Sequence, residues 1–232
     1  LIAIRPISGE ILAMVGSPDF FNDEIDGQVN MAVAPRQPGS SIKPLTYAAA
    51  FEKGWTPATL IWDVPSEFPP SGRKEDTREP YKPVNYDGKF HGPVLVRTAL
   101  GSSYNVPAVK TLNYVGIYDD PSTPEREGVL AFAERLGITT LTREDFGLSL
   151  TLGGGDVSLL ELTGAYAVFA NGGLRQPPFS ITRIENNLGE VVFEHQTASD
   201  QVMHADHAYL ISDILSDNNA RTPAFGSNSV LR

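Results

Sequence analysis

Arg36 to Pro44 reads RQPGSSIKP, and this stretch, with the apolar run behind it, decides the fold. Pro38 and Gly39 break the chain, and Ser40 or Ser41 is placed to cap a helix. Ile42, Leu45, Tyr47, Ala48, Ala49 and Phe51 then make an almost wholly apolar run, which ends near Gly54. A helix with so little polar surface is buried. Ser40 and Lys43 are three residues apart at its start, so they share a face one turn apart. Two readings stay open at this point. Ser40 caps the helix and Lys43 snorkels to water, or Ser40 is a nucleophile with Lys43 as its base. The second reading has a physical basis. A serine hydroxyl needs a neighbouring base and a place for an oxyanion to form. Burial lowers a lysine pKa into the useful range, and a helix N-terminus offers N–H groups.

The chain has 232 residues, of which 41% are apolar, enough to build a core. No run of 18 apolar residues occurs, so no membrane-spanning helix is expected. Leu1 opens into an apolar stretch with no basic leader, so no signal peptide is expected within these residues. Net charge is −10, and an acidic surface repels phosphate backbones, which argues against nucleic-acid binding. The absence of cysteine excludes disulfides, thiolate metal sites and a cysteine nucleophile. His204 and His207 could share one helix face, but no HExxH accompanies them. They read as a solvated helix end, and no metal or organic cofactor is expected.

Working outward, Leu1–Ile4 and Ile11–Val15 read as a hairpin turned by Arg5–Glu10. Both runs are nearly continuous in apolar residues, which predicts strands covered on both faces. Residues 63–93 are rich in proline, glycine and charge and read as one long loop, of the kind that carries function. Within or beside it, Trp62, Tyr81 and Tyr86 could contact a ligand, with packing onto the core as the plainer alternative. Helices are expected from Val94 to Leu100, to about Tyr114, over VLAFAERLG, over GGGDVSLLELTGAYAVFANGG with Gly172 and Gly173 ending it, and from Ala205 to Leu215. Ser158 and Glu161 have capping-box spacing. Short strands are expected at Ser180–Glu185 and Glu190–Glu194.

A proton carrier and a polar anchor could come from SSYN, where Ser103 and Asn105 point to one side of a short inter-helix link. The plainer reading is that one of them caps the next helix. Two decoys exist. Ser71–Lys74 repeats the Ser-x-x-Lys spacing in a proline-rich loop, with no helix to bury the lysine. Ser216–Asn218 spells SDN, but in a polar helix-end turn.

Five blocks occur in order: GEILAMVG, RQPGSSIKP, ALGSSYNVPAVK, LGGGDVSLLELTGAYAVFANGG and DILSDNNAR. Together they resemble the transpeptidase domain of class A penicillin-binding proteins, over nearly the whole chain. The resemblance implies an α/β mixed (α+β) domain of β-lactamase and transpeptidase type, with an antiparallel sheet between helical layers. It implies that Ser40 is the nucleophile, Lys43 its base, Ser103 the proton carrier and Asn105 the substrate anchor. The Ser40 N–H would be the first oxyanion donor. The reaction would be D,D-transpeptidation of peptidoglycan stem peptides through a serine acyl-enzyme, inhibited by β-lactam antibiotics. A DD-carboxypeptidase or β-lactamase-like hydrolase, or an inactive scaffold module, are the alternatives.

One departure stands out. No Lys-Thr-Gly or Lys-Ser-Gly occurs in the 232 residues. The expectation is therefore that residues 1–232 are the larger, N-terminal part of such a domain, with only the first two strands of its sheet. A second chain or fragment would supply the Lys-Thr-Gly strand. The resemblance also implies an extracytoplasmic location and a membrane-anchored parent.

Overall fold

The computed structural model describes residues 1–120, 122 and 127–230. The chain opens with the expected hairpin, β1 (Ile2–Ile4) and β2 (Ile11–Met14), with Ala3 opposite Ala13. Gly9 closes its turn at φ +82°, and a Cβ there would lie 2.5 Å from the Pro177 carbonyl oxygen. No other residue fits both the conformation and the space. β1 lies against a later helix, but Leu12, Met14 and Val15 are 52%, 38% and 50% exposed. The coverage expected on both faces is therefore not met within the described residues. A continuous apolar run records that both faces suit burial; it does not record which element buries them.

After a polar stretch, a 3-10 turn over Gly39–Ile42 runs directly into α1 (Lys43–Glu52). No side chain caps this start. Ser41 Oγ donates to the Pro38 carbonyl instead, 2.6 Å away. Pro44 is tolerated because first-turn N–H groups have no helical partner in any case. Every residue from Lys43 to Phe51 is buried. Ala48, Ala49 and Ala50 allow close helix approach, while Leu45, Tyr47 and Phe51 fill the space between helices. Leu45 and Phe51 each contribute roughly 1.5–3 kcal/mol when fully buried. α1 is thus the central rod of the domain.

β3 (Leu60–Asp63) pairs with β4 (Gly92–Leu95), Asp63 opposite Gly92. The long loop is therefore a closed excursion between two paired strands and is shorter at each end than its composition suggests. α2 (Val96–Gly101) and α3 (Asn105–Val115) come next, then α4 (Val129–Arg135) and α5 (Leu159–Ala170). Ser158 caps α5 by accepting the Glu161 N–H, as its spacing predicts. Beyond it lie β5 (Leu174–Arg175), β6 (Arg183–Glu185), β7 (Val191–Glu194), β8 (Asp200–Gln201) and α6 (Ala205–Ser216). α7 (Asn218–Phe225), unexpected in so polar a stretch, is the last element. Its N-terminus is capped by Asp217, and Pro223 falls inside it. Helices α2, α3, α4 and α6 surround α1. The described strands form four separate two-stranded antiparallel ribbons.

Candidate active site

The 3-10 turn decides how Ser40 and Lys43 relate. With three residues per turn, positions i and i+3 stand one above the other, and the Lys43 N–H bonds the Ser40 carbonyl. Both side chains line one small cavity of about 190 Å³. Ser40 is exposed at its mouth, whereas Lys43 is 1% exposed.

Lys43 Nζ donates to the Ser103 carbonyl at 2.6 Å, to Ser103 Oγ at 3.1 Å and to Asn105 Oδ1 at 2.7 Å. The structure thus brings Lys43, Ser103 and Asn105 into one hydrogen-bonded group beside Ser40. Burial disfavours the ammonium, and its three acceptors favour it. Burial wins, and the Lys43 pKa is pushed from 10.5 down to about 7.

The Ser103 turn has an identifiable local cause. The Ser103 N–H bonds the Leu100 carbonyl and the Tyr104 N–H bonds the Ala99 carbonyl, each at 3.0 Å. This is a Schellman end to α2, and Ser103 occupies its left-handed position at φ +57°. Glycine normally sits there. A serine in that place is strained, at a cost of roughly 1–3 kcal/mol, and the strained turn is what aims both the carbonyl and the hydroxyl at Lys43. Two residues further, Asn105 opens α3. Its Nδ2 donates to the Val84 carbonyl at 2.8 Å, which fixes the amide so that Oδ1 faces the lysine.

The block Leu152–Gly173 holds the Ser40 turn from the other side. Arg36 and Val157 exchange backbone hydrogen bonds at 3.0 and 2.9 Å. Tyr166 Oη donates to the Ser41 carbonyl at 2.8 Å. Burial pushes the Tyr166 phenol up to about 12, so it stays a donor. Gly153, at φ +96°, lets its backbone touch Gly39; a Cβ there would lie 2.4 Å from the Gly39 nitrogen. A larger cavity of about 480 Å³ opens in front of Ser40, with Ser103, Tyr104, Asn105, Tyr86 and Phe225 in its walls. α7 supplies Phe225, and the Ser102 hydroxyl ties α7 to this turn by donating to the Ala220 carbonyl.

The remaining candidates fall elsewhere. Lys74 is exposed in a turn of the long loop. Ser216–Asn218 joins α6 to α7, where Asp213 and Asp217 pair with Arg97 at 2.5 and 3.0 Å. His207 pairs with Glu52, whose carboxylate also accepts the His204 N–H. Among the described residues no group of three or more His, Asp or Glu is set to hold a metal. Tyr86 is fully exposed at the cavity, whereas Tyr81 packs on the core.

The fold and this arrangement define a class. The profile of the penicillin binding protein transpeptidase domain matches residues 1–229. The chain belongs to that family. It is 33% identical over 214 residues to penicillin-binding protein 2D of Bacillus subtilis, covering 92% of this chain and 28% of that protein. The crystal structure of penicillin-binding protein 1A from Haemophilus influenzae superposes with a TM-score of 0.77 at 27% identity, over 94% of this chain and 34% of that one. The imipenem acyl-enzyme of penicillin-binding protein A from M. tuberculosis shares the fold, with a TM-score of 0.74 at 18% identity, over 96% of this chain and 57% of that one. The chain thus spans about a quarter of the length of the curated relative.

Proposed function

We propose that Ser40 is the acyl-accepting nucleophile of a peptidoglycan D,D-transpeptidase, with Lys43 as base, Ser103 as proton carrier and Asn105 as substrate anchor. The observation that carries this reading is the buried Lys43 amine, with its pKa near 7, one tight turn from Ser40 and bonded to Ser103 and Asn105. The neutral amine takes the Ser40 Oγ proton as Oγ attacks the D-Ala–D-Ala carbonyl carbon. An ester bond forms between Oγ and that carbon, and the amide C–N bond breaks. The proton passes through Ser103 Oγ to the departing D-Ala nitrogen. An acceptor amine on a second stem peptide then attacks the ester carbonyl, and Ser40 Oγ recovers a proton as the C–O bond breaks. The Ser40 N–H supports the oxyanion. A second hydrogen on Asn105 Nδ2, not used by Val84, serves the substrate backbone. A β-lactam enters the first step only, because its leaving nitrogen stays tethered in the acyl-enzyme.

The group that docks the substrate carboxylate, Lys-Thr-Gly or Lys-Ser-Gly, belongs in this reading to a segment outside the 232 residues, on the same protein or a second chain. A peptidoglycan substrate places the domain on the outer side of the cytoplasmic membrane, on a membrane-anchored parent. The test is intact-protein mass spectrometry of the full-length protein with benzylpenicillin. A lasting adduct on the Ser40 peptide, lost in Ser40→Ala, is expected. An adduct that hydrolyses within seconds makes the protein a hydrolase, and no adduct at all overturns the reading.

A further inference from the structure

Asn85 lies in the long loop, 20 residues before Asn105, yet it is buried at 3% exposure and its amide makes four hydrogen bonds. Its Oδ1 accepts the backbone N–H groups of Asn105 at 2.8 Å and Val106 at 3.2 Å. Its Nδ2 donates to Asp63 Oδ2 and to the Lys89 carbonyl, both at 2.8 Å. That is the full capacity of an asparagine amide. Asp63 is the fully buried last residue of β3, and the backbone N–H and Nδ1 of His91 also reach its Oδ2, at 3.0 and 2.6 Å. His91 stacks on Tyr104, ring centroids 4.0 Å apart, next to Asn105. The neighbouring Val84 carbonyl accepts Asn105 Nδ2.

Both the backbone and the side chain of Asn105 are therefore held by two consecutive loop residues, Val84 and Asn85. With Nδ2 tied back to the loop, Asn105 Oδ1 is left facing Lys43 Nζ. We propose that Asn85, anchored on buried Asp63, is a positioning residue that sets Asn105 and, through it, Lys43. The loop thereby becomes a working part of the site, although none of its own side chains is assigned a chemical step. This inference rests on the acyl-transfer reading for its rate consequence but on geometry alone for its effect on Lys43.

The test uses the full-length protein and the variants Asn85→Ala, Asn105→Ala and the double variant, with Ser40→Ala as the control for the reading itself. Acylation by a fluorescent penicillin is expected to slow about tenfold or more in Asn85→Ala. On the Asn105→Ala background the same change is expected to cost less than about twofold, because the residue it acts through is gone. Independent, multiplying losses, or an Asn85→Ala rate within about twofold of wild type, overturn the proposal. NMR titration of the Lys43 amine gives a readout that does not need acylation. Asn105 Oδ1 favours the ammonium, so its displacement in Asn85→Ala is expected to lower the Lys43 midpoint. An unchanged or raised midpoint in a variant that still melts cooperatively overturns the proposal. If wild type itself is not acylated, the transpeptidase reading falls, and the Lys43 titration still decides the role of Asn85.

Discussion

Lys43 gives the sharpest prediction, because in the proposed mechanism one buried amine bears on both chemistry and stability. As a base it works only when neutral. With a pKa of about 7, the neutral fraction rises roughly tenfold from about pH 6 to about pH 8. The acylation rate of Ser40 is expected to follow that curve and level off above it. Lys43→Arg replaces the amine with a group that stays charged at any usable pH. It is expected to lower acylation by about 10²–10⁴-fold and to remove the rise near pH 7. Stability moves with the same proton. The shift from 10.5 to about 7 corresponds to about 5 kcal/mol of preference for the neutral amine. Below about pH 7 the lysine is charged in the folded and unfolded chains alike, and burial opposes folding in full. Between about pH 7 and 10.5 only the unfolded chain holds the proton, so this group adds stability as pH rises through that window. Fluorescent-penicillin acylation rates and thermal unfolding, both from about pH 5 to 9, check the two consequences. A flat acylation profile, or a midpoint above about pH 9 as for a solvated lysine, refutes the argument.

Two further predictions concern the turns that hold the site. Ser103→Gly relieves the left-handed strain at φ +57° and removes the hydroxyl beside Lys43; it is expected to be more stable than Ser103→Ala by about 1 kcal/mol, while both variants acylate slowly, as denaturant titration and penicillin labelling will show. Gly153→Ala drives a Cβ to within 2.4 Å of the Gly39 nitrogen at an unfavourable φ; unfolding is expected at least about 1 kcal/mol easier, with Ser40 acylation falling further than the loss of folded protein accounts for.

How far the sequence carried each part of this site depends on the distance along the chain over which the part is built. The burial of the helix that Lys43 opens could be read, because its apolar residues follow one another directly; whether Lys43 itself is buried or snorkels to water could not, since its partners Ser103 and Asn105 lie 60 and 62 positions away. The Ser158–Glu161 cap is local, like that helix. The β3–β4 ribbon is not: LIWD and GPVL are four residues each, separated by 28 positions, and the second contains a proline. Neither has the length or alternation that marks a strand. α7 escaped because its apolar contacts are few and Pro223 argues against a helix; it is held by the Asp217 cap and by packing on α2. Ser103 was legible as chemistry but not as strain, since the left-handed position is set by how α2 ends. Asn85 was legible as neither. Its role consists of hydrogen bonds to residues 20–22 positions away on both sides. A polar residue inside a proline- and charge-rich loop looks the same in the sequence whether it faces water or anchors a helix. What separates the two cases is burial, and the burial of Asn85 comes from the closing of the loop by β3 and β4.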